Sequence, residues 1–470
     1  MSGLNENSGS SSLEWRLAKF CAGLKFDDVP ADVVVRSELL LADVVSCMLL
    51  SAGDEQFRLL AKKLSVDSSG GASTITVGAA YPEIATQINA IAAHWYEWDD
   101  VYDEGALHIT AVVIPVLMAA VTRARQHGSL VRDFMASFVA AIEISCRIGK
   151  VLLPGLKTGW MPTGIACAIG AAAGAVKLQG GTLQEISDAM GLAAVACGAG
   201  RQPLADMVNG KSVLCSQVAL NAYGASRLAL AGVHGGMRYL VGPFGVSALF
   251  LDRDIDLLPI IENLGRTFEL SAVKLKRYPC CRATHKAIDT VLGLRAELAR
   301  QGLRCDDIES IRGVTVTVPP QAYELCGSPY SDSLDARVGR QFSIAYLVAA
   351  ALVQGEITPE LYANSGAQQE RRISELAQRT EVFRSVNAHQ TSSQSRGVEL
   401  CLFYADGAVL EWDSNCLAVD PIDDYDLVKK KLSFVDRGIL ERVQSRGLFL
   451  RSEVLKIDVD MFLRQFGSIV

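Results

Sequence analysis

Positive charge is in short supply in this 470-residue sequence, where 45 Lys and Arg stand against 52 Asp and Glu for a net charge of −7. A mildly acidic surface has little attraction for a phosphate backbone, which excludes nucleic acid as the expected partner. Aromatic residues are few, at 7%, and long apolar runs are missing. The longest uncharged stretch, Thr158 to Val176, carries four glycines and a proline, short of the roughly 20 predominantly apolar residues a membrane span needs. A buried helical segment fits it better, and no membrane association is expected. Met1 to Ser12 has no basic stretch followed by an apolar one, so no secretory signal is read there. Residues 1–12 are expected to be a disordered tail, with cytoplasmic residence the default. None of the twelve cysteines has C-x-x-C spacing, which excludes the usual zinc and thioredoxin patterns and leaves buried thiols. There is also no P-loop, no G-x-G-x-x-G after a strand and no H-x-x-x-H pair, so the chemistry is expected to need neither cofactor nor metal.

What is present is aliphatic: hydrophobic residues make up 50% and charged residues 21%, enough to bury a large core. From Leu13 the apolar residues recur at three and four positions, in Val33-Val34-Val35, Leu39-Leu40-Leu41 and Met48-Leu49-Leu50, which predicts helices. Small residues cluster in 164–178, 183–198 and 213–231, allowing close helix approach. After Asp252 the pattern changes. Ile311 to Val318 alternates at period two, and Val398–Tyr404, Asp406-Gly407 and Ala408–Trp412 predict a hairpin. Helices are expected from near Thr284 and over 343–352. The expected fold is mainly α: a large all-helical domain (13–265 and 420–470) and a smaller α+β lid domain (266–419).

Several local motifs occur together: Trp98-Asp99-Asp100 followed by His108 and Val113-Ile114-Pro115; Gly164 to Lys177; Asn209-Gly210-Lys211; Lys276-Arg277-Tyr278-Pro279-Cys280-Cys281-Arg282-Ala283-Thr284-His285; and Gln341 to Tyr346. In this combination the chain resembles the MmgE/PrpD family of 2-methylcitrate dehydratases, cis-aconitate decarboxylases and some epimerases. The resemblance implies a helical domain with an α+β lid, a site between them and a homodimer formed through the helical domain.

Lyase chemistry on a polycarboxylate needs cations to hold carboxylates and a proton donor or acceptor beside the reacting carbon. By resemblance, His108 is an acid/base group or carboxylate ligand, and Lys211 and Lys276 are compact charges for carboxylates. Asp99 and Asp100 match an acidic pair, of which Asp100 is the preferred catalytic candidate, while for Asp99 a solvated or helix-capping role weighs as much as a functional one. Glu97 falls where many relatives carry an aspartate. Arg282 is expected to grip a carboxylate. Tyr278, His285 and Tyr323 are expected near the substrate, and Cys281 stands where some decarboxylases have a histidine. By the same resemblance Met161 occupies the place of a usual catalytic histidine and cannot transfer a proton: either another group has taken that role, the substrate is less polar at that end and alkyl-bearing in a specialised pathway, or the ordinary family reaction has been lost. The expected function is a lyase acting on an alkylcitrate-like or aconitate-like acid. The alternatives are an epimerase or isomerase acting by proton transfer, and a non-catalytic scaffold that kept the fold.

Overall fold

The computed structural model describes residues 12–66, 72–74, 78–124, 130–302, 310–331, 336–362, 368–385, 397–414, 423–437 and 439. The expected tail lies outside these residues except for Ser12, as does the expected helical end beyond residue 439. Ser12 accepts a hydrogen bond from the Trp15 amide at 3.1 Å and starts the first helix, Leu13–Gly23. Asp54 does the same for Glu55–Leu64 through Phe57, and Thr182 with Glu185 forms a reciprocal cap on Leu183–Val195. Each satisfies backbone amides that a helix start leaves without partners.

Thr163–Leu178 is the central helix of the body. It packs against Thr110–Ala120, Leu130–Leu152, Leu183–Val195 and Leu214–Leu230. Its small residues are what permit this. A Cβ on Gly170 would lie 2.2 Å from Ser145 Oγ and 2.5 Å from the Ala141 carbonyl oxygen. The body is not purely helical, since β1 (Ala72–Thr74) and β2 (Gly78–Ala80) pair antiparallel beside Pro82–His94. These strands are too short for a period-two signal.

The second part of the chain forms a four-stranded sheet of β3 (Ile311–Val318), β4 (Thr380–Arg384), β5 (Glu399–Tyr404) and β6 (Val409–Asp413), in the order β4-β3-β5-β6. β3 pairs parallel with β4 and antiparallel with β5. The expected β5–β6 hairpin forms, but its turn differs from a two-residue one. Only Gly407 takes a positive φ, of 89°, while Asp406 accepts a hydrogen bond from the Ala408 amide at 2.9 Å. His285–Arg300 and Ile344–Gln354, the latter capped by Ser343, pack against each other beside the sheet.

Two hydrophobic cores result. One runs through the helices and still includes Leu270, Val273 and Leu275, and the other begins at Tyr278 and contains the sheet. The change-over therefore falls later in the chain than residue 266. Leu204 and Met207, from the body, pack into the second core, and Tyr96 touches both. The last described helix, Asp424–Ser433, returns to pack on Ala31–Gly53. Leu427, Val428, Val435 and Ile439 join the body core there. The two ends of this contact are ionic: Arg36 with Asp424, and Lys431 with a fully buried Asp43. Lys431 also donates to the Trp98 carbonyl oxygen at 2.6 Å.

Candidate active site

Pro82–His94 ends two residues before Tyr96, which touches both cores, and the turn after it carries the acidic motif. Val101 exchanges two backbone hydrogen bonds of 2.8 Å with Lys274, and the Trp98 indole donates to the Lys276 carbonyl at 3.0 Å. These contacts bring Lys276 against Glu97 although the two are far apart in sequence. Lys211 comes from the short turn Asn209–Val213 before Leu214–Leu230. His108 stands just before Thr110–Ala120, its amide donating to Thr163 Oγ1 at 3.1 Å.

Asp99 lies between the two histidines. Its Oδ1 is 2.9 Å from His94 Nδ1 and its Oδ2 is 3.0 Å from His108 Nδ1, with the rings edge to face at 4.5 Å. A buried carboxylate can only accept here, so both Nδ1 atoms carry protons and both Nε2 atoms face the other way. There they meet Glu97. Lys211 Nζ lies 2.6 Å from His94 Nε2 and donates to Glu97 Oε2 at 2.8 Å. Lys276 donates to Glu97 Oε1 at 3.1 Å and to the Glu97 carbonyl oxygen at 2.7 Å. His94 Nε2 is 3.2 Å from Oε2 and His108 Nε2 is 3.2 Å from Oε1. Glu97 adopts a left-handed backbone with φ 54°, a strain on the order of 1 kcal/mol that its surroundings must hold.

The electrostatics follow from this packing. Burial alone would raise the Glu97 pKa, but Lys211, Lys276 and the two histidines together hold it well below the ordinary 4.5. Asp99 is likewise held well below 3.8, burial being outweighed by His94 and His108. Burial works to lower both histidines. At His94 it is overcome chiefly by Asp99, and at His108 by Glu97 and Asp99, so both rise above 6.5. Lys276 is raised too, because Glu97 and Asp99 outweigh burial. The proton between His108 Nε2 and Glu97 therefore belongs to the histidine. His94, Asp99 and His108 each bring a donor atom within 4.8 Å of the others, the spacing a metal ion could use. Two lysine ammonium groups in the same cluster make it a poor home for a further cation.

The other expected site residues do not bond Glu97, although Asp100, Cys281 and His285 lie close enough to the cluster to feel its charges. Asp100 accepts from the Thr110 amide at 3.0 Å and from the Thr110 hydroxyl, capping that helix, with burial and Asp99 raising its pKa. Of the two aspartates, the preferred Asp100 caps the helix and Asp99 is the one that faces the histidines. Arg282 grips an internal carboxylate, with Nε and Nη2 each 3.2 Å from Asp103. Tyr278, whose ring belongs to the second core, donates to the half-buried Asp289 at 2.7 Å. His285 stacks edge-on against Tyr278 at 5.1 Å, and burial, Arg282 and Lys276 push its pKa well down. Cys281 is buried, its amide donating to the Gln341 carbonyl at 3.0 Å. Tyr323 is 38% exposed on the short helix Pro320–Cys326. Met161 is half-buried in the turn before Thr163–Leu178, and it is Thr163, two residues on, that contacts His108. His94 was not singled out by the sequence, where a histidine in the last turn of a helix reads as a complement to the helix dipole.

A helical body joined to a small α+β domain, with a buried lysine, histidine and carboxylate cluster beside their junction, defines the class. The MmgE/PrpD N-terminal domain model matches residues 15–257 and the MmgE/PrpD C-terminal domain model matches residues 278–439. The chain belongs to the MmgE/PrpD family. It is 26% identical over 373 residues to the cis-aconitate decarboxylase of Aspergillus terreus, covering 74% of this chain and 73% of that one. It is 25% identical to the Mus musculus cis-aconitate decarboxylase, with 72% and 68% covered, and 26% identical to that of Homo sapiens, with 72% and 69% covered.

Proposed function

We propose that the protein is a cofactor-independent lyase that removes carbon dioxide or water from a di- or tricarboxylic acid of the aconitate or alkylcitrate type. The observation that carries the reading is the convergence of Lys211, Lys276, His94 and His108 on one carboxylate. That is the environment a polyanionic substrate needs. The same charges stabilise the negative charge that builds up when a bond breaks beside a carboxylate.

The names of the relatives make decarboxylation of cis-aconitate the first reaction to test. In it the bond to the departing carboxylate breaks, its electron pair remains with the carbon skeleton, and a proton must be delivered to carbon. His108 is suited to that delivery, because Asp99 holds its Nδ1 proton and a raised pKa keeps Nε2 loaded. In a dehydration His108 would protonate the departing hydroxyl, and Glu97 would take the proton beside the carboxylate.

The test is incubation with cis-aconitate, 2-methylcitrate and alkylated analogues in deuterated water, followed by NMR. The expected result is loss of carbon dioxide or water with deuterium at the reacting carbon. Exchange without loss would make the enzyme an epimerase, and undiminished turnover in His108→Ala would remove the role given to that residue. A melting temperature that no polycarboxylate raises would favour a non-catalytic scaffold. Turnover is expected to survive EDTA.

A further inference from the structure

We propose that the Glu97 carboxylate is a built-in occupant of the substrate's carboxylate subsite, and that an incoming polycarboxylate binds by displacing it. The nature of the incoming acid rests on the lyase reading; the existence of the subsite does not. Each Glu97 oxygen faces one ammonium group and one imidazole nitrogen, Oε2 with Lys211 and His94, Oε1 with Lys276 and His108. This is how a bound acid would be held.

Access gives the second argument. The Lys276 side chain is 0% exposed, Lys211 3% and Glu97 4%, and only His108 reaches 11%. An anion arriving from solvent meets His108 first and reaches the lysines only after the Glu97 carboxylate has moved. Occupancy gives the third. Lys211 and Lys276 both already donate to the Glu97 carboxylate, so a second carboxylate has to compete with Glu97 for the same ammonium groups. Asp99 is fixed by both histidines and fully buried. The Glu97 peptide is also fixed, by Lys276 on its carbonyl. The Glu97 side chain is the part that can turn, by rotating about its own χ angles.

An intramolecular carboxylate competes at a high effective concentration. The resting enzyme therefore excludes monocarboxylates and admits acids that bring a second or third charge. Once displaced, Glu97 lies beside the bound acid with its own charge no longer shared with the lysines.

The experiment follows the melting temperature of the full chain as wild type, Glu97→Ala and Glu97→Asp. Acetate is titrated against chloride at constant ionic strength, and cis-aconitate, citrate and 2-methylcitrate are tested separately. Acetate is expected to raise the melting temperature of Glu97→Ala with saturation and to leave wild type unmoved. No response in Glu97→Ala, or an equal one in wild type, overturns the proposal. Glu97→Asp keeps the charge and folds without an uncompensated lysine, while its shorter side chain loosens the clasp. It is expected to bind the polycarboxylates about tenfold tighter than wild type, the worth of one charged hydrogen bond, whereas equal or weaker binding overturns displacement. If acetate stabilises Glu97→Ala while no polycarboxylate binds any form, the subsite stands, and both displacement by a polycarboxylate and the lyase reading fall.

Discussion

Asp99 decides what two histidines can do, because it holds the Nδ1 proton of each and turns both Nε2 atoms toward Glu97. Asp99→Asn would leave charged groups buried without their partner, at a cost of about 3 to 5 kcal/mol in chemical unfolding. The same network sets a pH profile. His94 and His108 have raised folded pKa values, so their contribution is complete below 6.5 and is lost as pH rises through the higher folded values. Glu97 and Asp99 have lowered values, so theirs is present above 4.5 and 3.8 and is lost as pH falls. Melting temperature should therefore be best supported between 4.5 and 6.5, and the decline on the alkaline side should shrink in Asp99→Asn. At this scale the sequence singled out Glu97, His108, Lys211 and Lys276, all of which meet in one cluster. It preferred Asp100 to Asp99, whereas which carboxylate faces the histidines is decided by a backbone turn and by Thr110, ten positions from Asp100. The Asp103 partner of Arg282 was hidden for the same reason, being a contact between distant loops.

Elements meet here through absent side chains and through one buried ion pair. Gly170→Ala would gain helix propensity of roughly 1 kcal/mol in an exposed helix. Against Ser145 and Ala141 the overpacking cost of about 1 to 3 kcal/mol prevails, and a lower denaturation midpoint should register it. Close approach of some helix to 164–178 was readable from its small residues, whereas Leu130–Leu152 as the partner at Gly170 was not. The attachment of Asp424–Ser433 is different. Burial pushes the Asp43 carboxyl up to about 6 even beside Lys431, and Asp43 Oδ2 has no hydrogen-bond partner, so the pair barely repays its own desolvation. Lys431→Met should cost about 3 to 5 kcal/mol, and adding Asp43→Leu should recover most of that loss in thermal unfolding. β4 was missed because Thr380–Arg384 is largely exposed and shows no clean alternation.

Across the whole molecule, an apolar surface is left uncovered on the body. Val195, Met237, Leu249 and Leu258 are all exposed, and Phe244 is 87% exposed. Gly235, two residues before Met237, lies against Asp188 and Leu192 of the helix that ends in Val195. Isolated apolar residues are ordinary on a surface, whereas a large exposed set of them marks a place where a partner can bind. We propose that these residues are covered in a homodimer. Light scattering on the wild type should give twice the 50.5 kDa chain mass, and Phe244→Asp with Met237→Asp should give the monomer. Among the described residues no helix is long and apolar enough to cross a membrane.

The lysine that anchors the Trp98 carbonyl and neutralises Asp43 stands 388 positions after that aspartate. At about 5 to 20 residues per second of ribosomal synthesis, the two are separated by roughly 20 to 80 s. Throughout that interval the nascent body holds a carboxylate in its interior with no ammonium to meet it, and the turn bearing Glu97 and Asp99 lacks one of its anchors. The body, though it opens the chain, is completed only after the α+β domain has been made. Ribosome-bound chains halted before Lys431 should accordingly be digested by protease at the turn after His94, and full-length chains should resist.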